Sequence, residues 1–152
     1  MTKDELIRSL STARAEGRIP SAPYADLWGA NLWGANLRGA NLRGADLWGA
    51  IHPHILPIGA GRSGDGAFYP TPEGWRVSIG CWKHKTIEEF DQLLSDEIEW
   101  PGARGEERDR RRPLLQAYRT LFGEWAKTLP PDLIETYQAE AEKVRAEQEA
   151  SR

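Results

Sequence analysis

The chain has 152 residues, a formal net charge of −3 and 28% charged residues, with both signs interspersed along most of its length. This length suits one compact domain or a small domain with a helical appendage, and the charge argues against strong attraction to nucleic acid or acidic membranes. A single cysteine excludes an internal disulfide, and no apolar run is long enough for a bilayer span or a secretory signal, so we expect a cytoplasmic protein.

The N-terminal segment, residues 1–24, is predicted to contain a short helix and a lead-in to the next segment. Thr2 and Glu5 have the spacing of a capping box, which marks the start of a helix. The apolar face of this helix consists of Leu6, Ile7 and Leu10.

Residues 25–49 are five consecutive pentapeptides, ADLWG, ANLWG, ANLRG, ANLRG and ADLWG. A period of five fits neither an α-helix nor a β-strand, whose side chains recur every 3.6 and 2.0 residues. Self-similarity at a fixed spacing predicts a coil that is built one repeat at a time. Weaker repeats at 20–24 and 50–59 extend this segment to about two coils, so other elements or a second copy must cover its open ends.

The A(D/N)LxG pattern of these five units resembles the pentapeptide-repeat family. The resemblance implies that residues 25–59 form a right-handed quadrilateral β-helix with one pentapeptide on each side. It also implies that the leucine of each repeat, and the alanine at its first position, point inward. The fourth residue of each repeat then faces solvent, which applies to Trp28, Trp33, Arg38, Arg43 and Trp48.

Family members that inhibit gyrase use longer, acidic coils that imitate DNA. In this chain Asp26 and Asp46 balance Arg38 and Arg43, so the formal charge of the five repeats is zero. The short coil and its neutral charge therefore argue against a DNA mimic that inhibits a topoisomerase.

Residues 60–100 are predicted to form a β-hairpin followed by a helix. Two strands within 67–82 are joined by the turn TPEG, and a glycine-rich stretch precedes them. Thr86 and Glu89 have capping-box spacing and open the helix. Alternation along the second strand places four residues on one apolar face, Trp75, Val77, Ile79 and Cys81.

Residues 101–152 are predicted to be helical, which completes an α+β fold class. Apolar residues at helical spacing predict a helix over 106–128, and Pro113 marks a point at which it can break. A final helix over 132–150 is almost wholly polar after Gln138, so we expect that part to protrude or fray.

The block from GAFYP through IGCWKHKTIEEF also resembles small repeat proteins of phages and bacteria. In those proteins a strand that ends in Gly-Cys is followed by a His or Thr and then by a helix that opens with two acidic residues. The corresponding residues are Gly80, Cys81, His84, Thr86, Glu88 and Glu89. This resemblance implies a phage-type inhibitor of a host or defence factor.

Candidate chemistry is sparse. Cys81 and His84 are a nucleophile and a base near one another, but a small thiol on an apolar strand face is ordinary packing. A metal site from Cys81, His52, His54 and His84 has no standard zinc spacing. We therefore assign no catalytic residue, metal or cofactor. The glycine-rich stretch lacks the Lys-Ser/Thr ending of a P-loop, so only Arg62 within it is a candidate anion contact.

These patterns favour binding over catalysis. We expect a non-enzymatic interaction protein that binds a host protein and forms a two-fold homodimer, with no membrane or nucleic-acid partner. One alternative is a protein that binds a small anion or nucleotide by Trp stacking and Arg pairing, and another is a cysteine-dependent enzyme. Aromatic and arginine side chains dominate interfaces, so the candidate partner contacts are Trp28, Trp33, Trp48, Arg38 and Arg43.

Overall fold

A computed structural model describes the chain except for residues 1, 19, 34, 38–39, 44, 48–49, 60–65, 97, 99, 101–104 and 151–152. Its helices and strands follow in the order α1 (Lys3–Thr12), β1 (Leu56–Ile58), β2 (Gly66–Thr71), β3 (Gly74–Ile79), β4 (Trp82–Thr86), α2 (Ile87–Leu94), α3 (Glu106–Ala126) and α4 (Leu133–Ala150). The strands form one open antiparallel sheet in the order β1-β2-β3-β4. The fold class is α+β.

The expected right-handed quadrilateral β-helix is wrong, because the regular sheet is open and antiparallel and follows the repeats in the chain. We call residues 20–55 the repeat block. Its described residues form no strand, and turns follow the paired positions Asp26, Asn31 and Asn41, so pairing does not extend into a ladder there. Residues 56–58, expected as part of the coil, form β1 instead. The isolated parallel bridges of the repeat block are Ser21–Asn41, Asp26–Asp46 and Asn31–Ile51.

The interior of the repeat block is nevertheless apolar, as the pattern predicted. Its leucines are all buried, namely Leu27, Leu32, Leu37, Leu42 and Leu47. Leu10 of α1 belongs to the same cluster, with Leu6 and Ile7 packed against it. Ala67 and Tyr69 of β2 also belong to it. The expectation that other elements must cover the repeats is therefore confirmed by α1 and by one face of the sheet.

The other face of the sheet packs against α2 and α3. Phe68 is fully buried there, with the Phe122 ring of α3 stacked on it at a centroid distance of 4.5 Å. The Phe90 ring of α2 meets the Phe68 ring edge-on, at a centroid distance of 5.6 Å. The alternation predicted for β3 holds for the residues that join this cluster, Trp75, Val77 and Ile79.

The predicted hairpin is formed by β2 and β3, which pair along their whole length from Gly66–Ile79 to Thr71–Gly74. Gly66 is required by the close approach of the two strands. A Cβ atom on Gly66 would lie 1.7 Å from the backbone oxygen of Ser78, a distance that no side chain can occupy.

The prediction that the last helix protrudes or frays after Gln138 is wrong. Ala141 and Val144 are buried, and α4 packs against β2. The Arg14 side chain, just after α1, forms ion pairs with Glu140 at 2.5 Å and Glu147 at 3.7 Å. A narrow stripe of apolar residues is enough to hold one side of a helix, even where the composition is polar.

The long helix α3 is continuous through Pro113, so the charged segment before the proline and the apolar segment after it form one element. None of the helices in the described ranges is long and apolar enough to cross a membrane.

Both predicted capping boxes are present, at Thr2 with Glu5 and at Thr86 with Glu89. We expect Thr86→Ala to lower the free energy of unfolding by about 1 kcal/mol, because the Thr86 hydroxyl accepts a hydrogen bond from the Glu89 N–H at 3.0 Å. Thermal unfolding measures this change. Thr120→Ala, which removes a threonine from the middle of α3, is the control and should stay within about 0.5 kcal/mol. Equal losses in both variants would contradict the capping role.

Candidate functional site

The turns of the repeat block carry large exposed apolar side chains. Trp33 is 69% exposed and Trp28 is 51% exposed. Tyr24 and Ile51 are exposed to 71% and 52%. Side chains of this size in water are a feature of interaction surfaces when several occur on one element. Tyr24 and Ile51 were not predicted from the sequence, although Ile51 stands where the regular repeats have Asp or Asn.

The backbone beneath these tryptophans is fixed by side-chain hydrogen bonds. The Asp26 carboxylate accepts the N–H of Trp28 at 3.0 Å, and the Asn31 amide oxygen accepts the N–H of Trp33 at 3.1 Å. These are Asx turns, in which a short polar side chain holds the backbone two residues further on. Asp26 and Asn31 therefore set the direction in which the Trp28 and Trp33 side chains leave the block.

Trp28 and Trp33 differ in their surroundings. The Lys3 ammonium of α1 lies 5.8 Å from the centroid of the Trp28 ring, donates a hydrogen bond to the Trp28 carbonyl and pairs with Asp26 at 3.9 Å. Trp33 follows Asn31, whose backbone forms a parallel bridge with Ile51. Trp28 therefore lies beside a cation whose charge is balanced by Asp26, whereas Trp33 is the more exposed of the two rings.

The structure does not bring all predicted contact residues into one surface. Trp48, Arg38 and Arg62 lie outside the described residues. Arg43 is exposed and lines a cleft that neither Trp28 nor Trp33 lines.

This cleft has a volume of about 500 Å³ and lies between the repeat block, the β2–β3 turn and α4. Asn41 and Arg43 come from the repeat block, Glu73 from the turn and Arg145 from α4. His84 of β4 also lines it. The guanidinium groups of Arg43 and Arg145 form no ion pair with any residue of the described ranges, so the cleft presents two cations and one carboxylate.

His84 is held by a closed ring of hydrogen bonds beneath the cleft. The His84 backbone N–H donates to Ser78 Oγ at 2.9 Å, Ser78 Oγ lies 3.3 Å from the Tyr69 hydroxyl, and that hydroxyl lies 2.8 Å from His84 Nδ1. Ser78 and Tyr69 are buried, so each hydroxyl proton needs an acceptor. Every proton is used if Ser78 donates to Tyr69 and Tyr69 donates to Nδ1. The His84 proton then resides on Nε2.

A local irregularity of the sheet places His84 in this position. Val77 pairs with Lys85 and Ile79 pairs with Trp82, so β4 has one more residue than β3 between these two pairs. The extra residue is accommodated at a bulge, and His84 adopts φ +58°. This left-handed backbone costs a non-glycine residue about 1–3 kcal/mol, and such strain is concentrated at functional positions.

The protonation of these groups follows from their surroundings. Burial of the ring lowers the pKa of His84, the guanidinium groups of Arg76 and Arg43 lower this pKa further, and Glu73 partly opposes them. Burial raises the pKa of the Tyr69 hydroxyl. A neutral imidazole beside a neutral phenol is the arrangement that these shifts favour.

Cys81 is not on the apolar face of a strand, and that prediction is wrong. β3 ends at Ile79, and Cys81 lies in the following turn with its side chain exposed. The alternation of inward and outward side chains along β3 stops at Ile79, because a tight turn to β4 follows. The hydrogen-bond partner of His84 Nδ1 is the Tyr69 hydroxyl. The nearness of His84 to Cys81 in the sequence therefore did not identify this partner.

The remaining histidines occupy a separate small pocket of about 220 Å³, where Tyr137 also lines the wall. His52 Nδ1 accepts the N–H of His54 at 3.1 Å, which leaves Nε2 to donate to the Ala35 carbonyl at 3.1 Å. His54 Nδ1 lies 3.1 Å from the Tyr137 hydroxyl. Across the described ranges, no three His, Cys, Asp or Glu side chains are grouped as metal ligands.

Two arginines of the run 110–112 are engaged in ion pairs. Arg111 pairs with Glu107 at 2.5 Å, one turn earlier on α3, and Arg112 pairs with Asp96 at 2.5 Å. The flanking acids seen in the sequence therefore neutralise part of this charge within the chain.

Comparison with known proteins identifies the repeats. Residues 24–51 match the family model for pentapeptide repeats, in eight copies. The resemblance inferred from five repeats is thereby confirmed. No curated protein and no solved structure matches the chain.

Proposed function

We propose that this pentapeptide-repeat protein is a non-catalytic binding protein that engages a partner protein through the turns of its repeat block. The proposed central contacts are Trp28 and Trp33, together with the exposed side chains of Tyr24 and Ile51. The observation that carries the proposal is the contrast between adjacent residues, because Leu32 is fully buried while Trp33 is 69% exposed. Burying such a ring against a partner gains apolar contact area.

The rigidity of the surface supports the same function. Binding normally loses affinity because loops and side chains must be ordered. The turns that carry Trp28 and Trp33 are already held by Asp26 and Asn31. Tryptophan itself has only two rotatable side-chain bonds, so it supplies a large contact area at a small entropic cost.

The exposed groups of this surface determine which groups the partner must offer. The exposed indole rings and Ile51 require apolar pockets, and each indole N–H requires an acceptor. Lys3 lies over the Trp28 ring and already pairs with Asp26, so this edge adds no net charge to the surface. In this proposal the partner is a protein of the host cell, and binding inhibits it by covering its surface.

The proposal is tested with the double variant Trp28→Ala/Trp33→Ala. Affinity capture from host lysate identifies a partner for the unchanged chain, and calorimetry with the purified partner then measures the dissociation constant. We expect the double variant to weaken binding at least about 30-fold, since a hot-spot residue contributes about 2 kcal/mol or more. Leu121→Ala, which removes an exposed apolar side chain from α3, is the matched control and should bind normally.

Two results would contradict the proposed binding site. Unchanged affinity in the double variant, or equal weakening in Leu121→Ala, would refute this surface as the binding site. If the captured partner is a second copy of the chain, light scattering of the double variant will show a smaller mass. That result would replace the host-protein proposal with a homodimer interface.

A further inference from the structure

We infer that the cleft between the repeat block, the β2–β3 turn and α4 binds a small phosphate ester that carries hydroxyl groups. This site is separate from the exposed tryptophans and does not depend on the proposed protein partner. Its volume of about 500 Å³ lies within the range of small-molecule sites.

Two arginines supply the attraction for an anion. Arg43 and Arg145 come from sequence-distant elements and line the same cleft. Their guanidinium groups are not neutralised by an ion pair in the described part of the chain. Guanidinium groups match the geometry of phosphate oxygens and bind them in pairs of hydrogen bonds. One carboxylate in the cleft, that of Glu73, leaves a positive balance.

His84 supplies a neutral donor. The ring of hydrogen bonds through Ser78 and Tyr69 occupies Nδ1 and assigns the proton to Nε2. Nε2 forms no hydrogen bond to any residue that the structure describes, and His84 lines the cleft. The bulge that places His84 here imposes a strained backbone. An N–H donor held in this way is suited to a phosphate oxygen.

The remaining lining selects for hydroxyl groups. The Glu73 carboxylate accepts hydrogen bonds, and the Asn41 amide can donate them, since its oxygen already accepts the N–H of Arg43 at 3.2 Å. No Trp, Tyr or Phe side chain lines this cleft among the described residues, so a nucleobase has no aromatic ring on which to stack. These features favour a sugar phosphate over a nucleotide.

Calorimetric titration of the full chain tests this inference with four probes. Ribose 5-phosphate is expected to bind, and ribose without the phosphate is expected not to bind. Inorganic phosphate should bind more weakly, because it lacks the sugar hydroxyl groups that the cleft residues Glu73 and Asn41 would contact. Adenosine monophosphate distinguishes a nucleotide from a sugar phosphate, because it adds a nucleobase to the ribose phosphate. We expect it to bind no more tightly than ribose 5-phosphate.

Variants that remove one positive charge each test whether ribose 5-phosphate binds in this cleft. Arg43→Gln and Arg145→Gln should each weaken ribose 5-phosphate binding at least about tenfold, because each removes charge-assisted hydrogen bonds. Arg8→Gln removes the same charge from the exposed side of α1 and should leave affinity unchanged. Tyr69→Phe frees His84 Nδ1 from its hydrogen bond, so this variant should weaken binding while Arg43 and Arg145 remain.

Three results would overturn the inference. The first is no binding of ribose 5-phosphate tighter than about 1 mM to the unchanged chain. The second is equal weakening in Arg8→Gln, which would indicate attraction to overall charge. The third is unchanged affinity in both cleft arginine variants. Trp28→Ala/Trp33→Ala should retain the phosphate ester, so failure of this inference and failure of the proposed function are distinguishable.

Discussion

Replacing Phe68 by alanine is expected to lower the free energy of unfolding by about 3–5 kcal/mol. Phe68 is fully buried, with the Phe122 ring stacked on it and the Phe90 ring against its edge. Alanine removes both ring contacts and leaves a cavity at the point where β2, α2 and α3 meet. The midpoint of thermal unfolding should fall by about 6–20 °C for a chain of this size.

The matched control for Phe68→Ala is Leu114→Ala. Leu114 is also a large apolar residue, but it lies exposed on α3. Its replacement should change the free energy of unfolding by no more than about 0.5 kcal/mol. Comparable losses in the two variants would mean that Phe68 is not the centre of this core.

Elements with local signals could be predicted from the sequence. A capping box lies within four residues, so Thr2 and Thr86 identified the starts of α1 and α2. The hairpin of β2 and β3 was predicted from a short turn between two alternating segments. The inward leucines of the repeat block were predicted because each repeat has the same pattern and each leucine therefore has the same environment.

Elements that depend on distant partners could not be predicted in this way. β1 is three residues long and includes Pro57, which reads as loop in isolation but is tolerated at the edge of a sheet. β4 was missed because the turn at Cys81 interrupts the alternation, and the pairing with β3 then includes a bulge. The β-helix was wrong because parallel pairing among the described residues of the repeat block is limited to isolated bridges, with the regular sheet formed elsewhere.

The candidate sites follow the same division. The outward direction of Trp28 and Trp33 was predicted, since it depends only on position within a repeat. The cleft was not predicted, because Arg43, Glu73 and Arg145 are distant in sequence and meet only in the folded chain. His84 was noticed for its nearness to Cys81, whereas its hydrogen-bond partner is Tyr69 on a neighbouring part of the sheet.

The pair Leu32 and Trp33 gives the second large expected effect. Leu32→Ala should lower the free energy of unfolding by about 2–5 kcal/mol, because Leu32 is fully buried in the interior of the repeat block. Trp33→Ala, one residue later, should change it by no more than about 0.5 kcal/mol, because Trp33 is mainly exposed. Urea unfolding of the two variants measures both quantities.

This comparison bears on function as well as on stability. A large apolar residue that lies in water, and whose removal leaves the fold intact, is explained by what it binds rather than by what it packs against. Trp33→Ala therefore has to remain folded for its loss of partner binding to be interpreted. If Trp33→Ala unfolds as readily as Leu32→Ala, the ring stabilises the repeat block itself, and the proposed binding surface loses its central residue.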